Sequence, residues 1–177
     1  TESTKAEITH LESVMTALDI ALLEEDLVQI KEELIESGYI RRKGNTKKVK
    51  VTSRPFHFIS SDGFHMYGGK NNFQNDELTF QFAQGGDWWF HAKGMPGSHV
   101  IVKSGGKEMP DRTFEEAGSL AAHFSRARGQ DKVEIDYVER KHVKKPNGAK
   151  PGFVVYYTNY SLVAGSDISG ITRIDEM

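Results

Sequence analysis

Cysteine is absent from this chain of 177 residues. Disulfide bonds therefore cannot stabilise the fold, and both thiolate metal sites and thiol catalysis are excluded. The absence also fits a reducing compartment. No apolar run approaches the roughly 20 residues that a membrane-spanning helix needs, and no basic segment followed by an apolar one opens the chain as a signal peptide would. The sequence predicts no membrane partner.

A large excess of charge of one sign is also lacking, because the formal net charge is only −2. This near-neutral total hides an uneven distribution. Residues 1–38 carry ten acids against two lysines, which gives −8, and the remainder carries 21 Lys or Arg against 15 Asp or Glu, which gives +6. An acidic segment joined to a basic body indicates two parts with different partners. The alternative is a solvated helix beside an ordinary domain.

Residues 1–38 are predicted to form a helical arm. Apolar residues recur at spacings of 3, 4, 3 and 4, as in the seam of a coiled coil: Ile8, Leu11, Met15, Leu18 and Leu22. The stripe then shifts by one position, which predicts a kink or break within residues 22–26. The acids at positions 24–26 suit the first turn of a second helix. Such an arm is too short to form a coiled coil alone, so we expect a partner helix outside this sequence.

Residues 39–54 hold seven basic residues and no acid. The clustered like charges and a Gly-Asn pair predict a mobile linker, which could equally act as a strap that binds phosphate. The globular body then extends over residues 55–177. Hydrophobic residues make up 37% of the chain and aromatic residues 10%, which is enough for one folded core.

Local patterns within the body predict more strands than helices. Apolar segments flank Ser61-Asp62-Gly63, which indicates a hairpin. Further strands are predicted at 87–93, 98–103, 132–138 and 153–158, the last of them central because it is strongly apolar. Thr113 and Glu116 have the spacing of a capping box that opens a long helix ending at Gly129. Asn75 and Asp76 could cap a short helix carrying Leu78 and Phe82. We therefore predict an α+β fold: a mostly antiparallel sheet packed with one long and one short helix, preceded by the coiled-coil arm.

Several uncommon strings follow one another through the body. They are Ser60-Ser-Asp-Gly-Phe64, Gly69-Lys-Asn-Asn72, Gln74-Asn-Asp76, Asp87-Trp-Trp-Phe-His91, Pro96-Gly-Ser-His-Val100 and, most specific, Val143-Lys-Lys-Pro-Asn-Gly-Ala-Lys-Pro-Gly152. In order and spacing they resemble the NFACT-R domain of ribosome quality-control proteins. Residues 1–40 resemble the end of that family's middle coiled coil, so the resemblance covers essentially the whole chain. Gly68, where a larger residue is expected, is a minor departure.

This resemblance implies an RNA-binding module of a bacterial protein of the RqcH type. Such proteins bind large ribosomal subunits blocked by peptidyl-tRNA, recruit tRNA and promote alanine tailing of the stalled chain. The implied partners are tRNA, the large subunit with its ribosomal RNA, and the NFACT-N domain of the full-length protein. The implied location is cytoplasmic. No enzymatic activity and no cofactor are expected of this segment. Since the family is also labelled fibronectin-binding protein A, a fibronectin-binding surface adhesin is the alternative.

Two segments supply the candidate RNA-binding residues. Residues 126–150 contain eight Lys or Arg and four acids, and prolines at 146 and 151 should restrict the backbone that presents them. On a strand, Asp87, Trp89, His91 and Lys93 share one face, so Trp89 could stack a base. Alternatively, Trp89 packs against a helix and Asp87 pairs with His91. The predicted RNA-binding residues are Trp89, His91, Lys93, His99, Lys103, Arg126, Arg128, Arg140, Lys141, Lys144, Lys145 and Lys150.

Two other chemistries are less well supported by the sequence. Asp87, His91 and Ser98 supply the residue types of a hydrolytic triad, but no nucleophile elbow surrounds Ser98. His57, His65, His91 and His99 could converge on zinc, although no compact ligand motif is present. Lys70 could touch a backbone phosphate, although its loop lacks a phosphate-loop motif. We therefore expect no catalytic residue and no metal ligand.

Overall fold

The computed structural model describes residues 1–44 and 50–175. Two helices come first, α1 (Glu2–Ile20) and α2 (Glu24–Glu36), so the predicted break is present. The Asp26 carboxylate accepts hydrogen bonds from the amides of Leu22 and Leu23, at 3.2 and 3.1 Å, which stabilises the start of α2. Among the described residues, no helix is both long and apolar enough to cross a membrane.

The two arm helices pack on each other through a small core of Val14, Ala17 and Ile30. The predicted seam lies on another face of α1 and remains exposed. Ile8, Met15 and Leu18 are 51%, 64% and 46% exposed, and Leu22 and Leu27 are also exposed. The helices therefore present an apolar stripe to solvent. A coiled coil with a further helix would cover it and remains a prediction.

The predicted linker, residues 39–54, can be compared with the structure only in part, because residues 45–49 lie outside the described residues. Both ends of the linker contact the arm. Arg42 makes a two-pronged ion pair with Glu32, and the Ser53 hydroxyl donates to Asp26 at 2.7 Å. Buried acids of α2 therefore bind residues near both ends of the predicted linker, and its mobility remains a prediction.

Within residues 50–175, seven strands form one sheet: β1 (Phe56–Ile59), β2 (His65–Gly68), β3 (Trp88–Ala92), β4 (Val100–Val102), β5 (Val133–Glu139), β8 (Tyr160–Ala164) and β9 (Thr172–Arg173). Their order in the sheet is β8-β5-β3-β4-β2-β1-β9, and every neighbouring pair is antiparallel. Two shorter strands, β6 (Val143–Lys144) and β7 (Val155–Tyr156), form a separate antiparallel ribbon. The α+β class and the Ser61-Asp62-Gly63 hairpin are confirmed, with Gly63 in the left-handed conformation that the turn needs.

One face of the sheet packs against α4 (Asp111–His123), whose side chains Ala117, Leu120 and Ala121 are fully buried. The predicted capping box is wrong. The helix begins two residues before Thr113, and the Thr113 hydroxyl donates to Ser60 and Asp62 instead. Glu116 accepts from the amide of Ser61. Both side chains therefore join the helix to the hairpin turn, and the helix ends at His123, before Gly129.

The opposite face is covered by α3 (Asn72–Glu77), a π-helical turn (Leu78–Phe82) and the β6–β7 ribbon. The cap of α3 is Asn71, whose side chain accepts from the amide of Gln74, so Asn75 and Asp76 are not the cap. The predicted central strand at 153–158 is also wrong. Only Val155 and Tyr156 pair, because the chain there crosses above the sheet and does not enter it. The edge strands β8 and β9 were not predicted.

Candidate nucleic-acid interface

Residues 140–153 of the body contain five Lys or Arg and no Asp or Glu, and we call this segment the basic loop. It starts where β5 ends, makes a short 3₁₀ turn (Arg140–His142), passes through β6 and returns to β7. Its first residues contact the start of β3, where the Arg140 amide donates to the carbonyl of Asp87 at 2.8 Å. The Arg140 guanidinium donates to the carbonyl of Thr79 and lies 5.0 Å from the centre of the Phe80 ring. Arg140 therefore has a structural role within the body.

Lys145 holds the middle of the basic loop. Its ammonium group lies 3.1 Å from the carboxylate of Asp76 on α3 and also donates to the carbonyls of Lys150 and Phe153. Asp76 in turn accepts from the amide of Gly152 at 2.9 Å. Gly152 is in the left-handed conformation and lies directly against Asn72, where a Cβ would clash. One lysine and one carboxylate thus determine the backbone of the loop.

Three lysines of the loop present charge toward solvent. Lys144 on β6 is exposed, and no ion pair to it occurs in the part of the chain that the structure describes. Lys141 is exposed and lies 3.5 Å from Glu139, a long and weak ion pair. Lys150 is half-buried, 6.0 Å from the ring of Tyr39. These three side chains are the cations of the loop that a phosphate could reach.

Lys103 lies beside the start of β3 and forms an ion pair with Asp87 at 2.7 Å. Asp87 is buried, which by itself raises the pKa of its carboxyl. Hydrogen bonds from the Gln84 amide, Lys103 and the Gly105 amide outweigh burial and leave this pKa lowered. The predicted pairing of Asp87 with His91 is therefore wrong. Asp87 precedes the strand, and its side chain turns into the adjoining loops.

The remaining predicted cations lie elsewhere on the body. Lys93 follows the far end of β3 and pairs with Glu134 at 3.2 Å, while Arg126 approaches Glu12 of α1 at 3.4 Å. Arg128 donates to the carbonyl of His123. The five residues of β3 separate Lys93 from Lys103 by about 17 Å of strand. Lys103 and the start of the basic loop therefore lie at the same end of β3, whereas Lys93 lies at its other end.

Trp89 cannot stack a base on this surface, because none of it is exposed. It packs beneath the ribbon, 4.8 Å from the ring of Tyr156, and against His91 and His99 at 5.6 and 5.2 Å. Burial lowers the pKa of His91 to about 4 and holds the pKa of His99 well below its ordinary value. Trp89 and His99 therefore form part of the core between the sheet and the ribbon, and His91 beside them is only partly exposed. Alternation along β3 was correctly predicted, but both faces of the strand are covered.

The hydrolytic alternative is not supported by the observed contacts. The Ser98 hydroxyl donates to the carbonyl of Gly69 and Asp87 binds Lys103, so neither side chain is directed at His91. No three His, Cys, Asp or Glu side chains within residues 1–44 and 50–175 converge as a metal site would require. Lys70 is only 5% exposed and pairs with Asp26 at 3.2 Å, so the predicted phosphate contact is wrong.

Two residues that position the interface were missed from the sequence. One is Asp76, which fixes Lys145. The other is Tyr156, whose hydroxyl donates to the buried Asp136 at 2.6 Å and so ties the ribbon to β5. Burial and the hydrogen bond to Asp136 raise the pKa of Tyr156. Asp76 and Lys145 are 69 residues apart in sequence, and Tyr156 and Asp136 are 20 residues apart. Local sequence patterns therefore do not predict either contact.

Residues 54–158 match the family model described as NFACT protein RNA binding domain. The chain is 46% identical over 156 residues to the Rqc2 homolog RqcH of Streptococcus suis, covering 88% of this chain and 28% of that protein. It is 39% identical over 152 residues to the Rqc2 homolog RqcH of Bacillus subtilis, covering 84% and 26%. The human ribosome quality control complex subunit NEMF is 29% identical over 98 residues, covering 55% and 9%. The chain thus spans about a quarter of the length of its bacterial relatives.

A solved structure has a similar fold. It is the C-terminal of the fibronectin/fibrinogen-binding protein from Streptococcus suis, with a TM-score of 0.89 and 42% sequence identity. The similarity covers 97% of this chain and 69% of that one. It therefore includes the helical arm as well as the body.

Proposed function

Because this chain belongs to the family of NFACT RNA-binding domains, we propose that it binds RNA as a non-catalytic module of a ribosome quality-control factor. The names of its relatives support the quality-control role. The observation that carries the proposal is the basic loop with the strand that follows it. Residues 140–157 contain five Lys or Arg and no Asp or Glu, on a backbone that Lys145 and Asp76 hold in place.

The physical basis of binding would be neutralisation of phosphates by exposed lysines. Each phosphate that a lysine neutralises releases condensed counterions, so affinity falls steeply as salt is added. Lys141, Lys144 and Lys150 are the cations placed to do this. Lys103 and Arg140, which bind groups of the body itself, would instead support the surface from beneath.

The finer role concerns a full-length protein like the bacterial relatives, of whose length this chain spans about a quarter. We propose that the full-length protein binds obstructed large ribosomal subunits and tRNA, and promotes alanine tailing of the stalled nascent chain. In that setting this segment would contribute contacts to tRNA or ribosomal RNA in the cytoplasm, beside the NFACT-N domain. The exposed apolar stripe of α1 would pack against a second helix of the same protein to form the coiled-coil arm.

Charge reversal at Lys144 tests the proposal. We expect the wild-type chain to bind tRNA or large ribosomal subunits with a strong salt dependence, and Lys144→Glu to weaken that binding. The plot of the logarithm of the association constant against the logarithm of salt concentration should become shallower by at least about one. Fluorescence anisotropy with labelled tRNA measures both quantities. Lys145 is left unchanged, because its substitution would alter the loop itself.

Lys132→Glu is the matched control, because Lys132 is also exposed and lies before β5, outside the basic loop. It changes the net charge by the same amount and should have a much smaller effect on affinity. Binding that does not respond to salt, or equal losses in the two variants, would contradict a phosphate-binding role for the loop.

A second candidate is an adhesin that binds fibronectin, favoured by the similarity to the fibronectin/fibrinogen-binding protein of Streptococcus suis. Surface plasmon resonance with immobilised fibronectin, in competition with tRNA, distinguishes the two functions. Fractionation of cells that produce the full-length protein then shows whether it resides at the surface or with ribosomes. Tight fibronectin binding by a surface-located protein, without binding of tRNA or subunits, would favour the adhesin.

A further inference from the structure

The β6–β7 ribbon has two different faces. Val143 pairs with Tyr156 and Lys144 pairs with Val155. Val143, Val154 and Tyr156 pack in the apolar cluster that contains Trp89. Because side chains alternate along a strand, Lys144 and Val155 lie on the opposite face. Phe153 and Tyr157 flank β7, each two residues from Val155, and both are exposed to solvent, so we assign them to the same face. We call this second face the outer ribbon face.

Two large aromatic side chains on the outer ribbon face are unusually exposed. Phe153 is 52% exposed and Tyr157 is 72% exposed, the highest value among the large apolar and aromatic side chains that the structure describes. Among the described residues, neither the Phe153 ring nor the Tyr157 ring stacks on another aromatic ring or makes an edge contact with one. These two rings therefore contribute little to the stability of the fold. Exposed apolar side chains of this kind are available to contact a ligand.

The backbone beneath these rings is held in place. The Phe153 amide donates to the carbonyl of Lys150 at 3.1 Å, and its own carbonyl accepts from Lys145 at 3.1 Å. Tyr156, the neighbour of Tyr157, is anchored through Asp136. Thr158 follows in the left-handed conformation, with φ of 55°, and turns the chain away. Both rings thus project from a preorganised segment, which reduces the entropy lost when a ligand binds.

The charge of this face fits a polyanion. Lys144 stands opposite Val155, and its diagonal neighbours on the partner strand, roughly 7–8 Å away, are the positions of Phe153 and Tyr157. Two acids beside the ribbon already have partners, since Asp76 binds Lys145 and Glu139 lies near Lys141. An exposed cation between two exposed rings is the arrangement by which proteins bind single-stranded nucleic acid.

We propose that the outer ribbon face stacks unpaired RNA bases on Phe153 and Tyr157, while Lys144 neutralises the phosphate between them. The inference rests on the proposed RNA binding and adds the substrate class, which is single-stranded or looped RNA. An extended chain from Phe153 to Tyr157 spans about 13 Å. Bases stacked in a duplex are 3.4 Å apart, so the two rings suit bases that are splayed apart, as only unpaired bases can be.

Replacement of Tyr157 tests the platform. The probes are a fluorescein-labelled ten-nucleotide oligouridylate and a blunt RNA duplex of the same length, measured by fluorescence anisotropy with the full 177-residue chain. We expect the oligouridylate to bind more tightly than the duplex. Tyr157→Leu and Phe153→Leu should each weaken its binding by about fivefold to a hundredfold, since a stacked base contributes that much. Tyr157→Trp, which keeps a ring, should retain affinity.

The salt dependence separates stacking from charge. Tyr157→Leu should leave the salt slope unchanged, because the ring releases no counterions, whereas Lys144→Gln should make it shallower by about 0.7. Tyr160→Leu is the control. Tyr160 is 58% exposed but lies on the edge strand β8, with its ring 5.5 Å from that of Tyr137. This control should bind like the wild type, and thermal melting checks that each variant is folded.

The outcomes distinguish this inference from the proposed function on which it rests. If duplex and oligouridylate bind equally and only the lysine variant loses affinity, the stacking platform is overturned while RNA binding stands. Equal affinities for Tyr157→Leu, Tyr160→Leu and the wild type also overturn it. If the wild type binds neither RNA, the proposed function and the platform fail together.

Discussion

Lys144 and Lys145 are adjacent in sequence and have opposite environments. Lys144 projects from the outer ribbon face into solvent, whereas Lys145 turns inward to Asp76 and two backbone carbonyls. Alternation along β6 sends them to opposite sides. Lys144 can therefore contact a ligand, whereas Lys145 determines the conformation of the loop.

This difference predicts unequal effects on stability. Lys145→Met should lower the free energy of unfolding by about 1.5–3 kcal/mol, because Asp76 and two carbonyls lose a charged donor. Lys144→Met should change it by less than about 0.5 kcal/mol, as expected for an exposed side chain. Urea unfolding followed by tryptophan fluorescence measures both values. Equal losses would contradict the inward role of Lys145.

At the scale of elements, the helical arm is joined to the body by buried polar contacts. Asp26 of α2 pairs with Lys70. Glu33 accepts one hydrogen bond from Asn72 and shares another with His10, both at 2.7 Å. These groups are almost fully buried. Buried partners of this kind are costly to separate, so they set the direction in which the arm leaves the body.

The arm helices also allow a test of the proposed partner helix. Ile30→Ala should destabilise this chain by about 2–5 kcal/mol, because Ile30 is buried between α1 and α2. Leu18→Ala should change stability by less than about 0.5 kcal/mol, because Leu18 is exposed. In the full-length protein the same Leu18 variant should be clearly destabilised. Thermal melting of both forms is the measurement, and a neutral Leu18 variant in the full-length protein would argue against a partner helix on this stripe.

At the scale of the whole molecule, two histidines with lowered pKa values, His91 and His99, make stability depend on pH. The folded pKa of His91 is about 4, and that of His99 is also well below its ordinary value of 6.5. Between pH 4 and pH 6.5 the unfolded chain binds more protons than the folded chain. Stability is therefore lost as the pH falls from about 6.5 toward 4. Asp26 and Asp87, whose pKa values are lowered from 3.8, add a loss only at still lower pH.

Acidification should therefore lower the melting temperature before the carboxylates titrate. Between pH 6 and 5 each of these two histidines contributes to the free energy of unfolding a slope of at most about 1.4 kcal/mol per pH unit. His91→Gln should reduce this slope, whatever its effect on stability at pH 7. Differential scanning fluorimetry at half-unit steps from pH 7.5 to 5 tests the expectation. A melting temperature that does not change over this range, or an identical slope in the variant, would show that His91 stays accessible to protons.

The sequence by itself determined those features that depend on neighbouring residues. The Ser61-Asp62-Gly63 turn, the break between the arm helices and the alternation along β3 and β5 follow from local conformational preferences and from side-chain periodicity. The sequence also determined the family and the α+β class, because short motifs and strand patterns can be recognised without knowing which distant segments are in contact.

Only the tertiary structure decided which faces are covered and which charges are satisfied. Trp89 is buried because the ribbon crosses above it. Thr113 does not cap α4, because the hairpin turn lies within hydrogen-bonding distance of its hydroxyl. Lys103, Arg140 and Lys145 look like surface cations in sequence, yet each binds a group far along the chain. Burial and pairing depend on contacts between distant segments, and local periodicity carries no information about which segments meet.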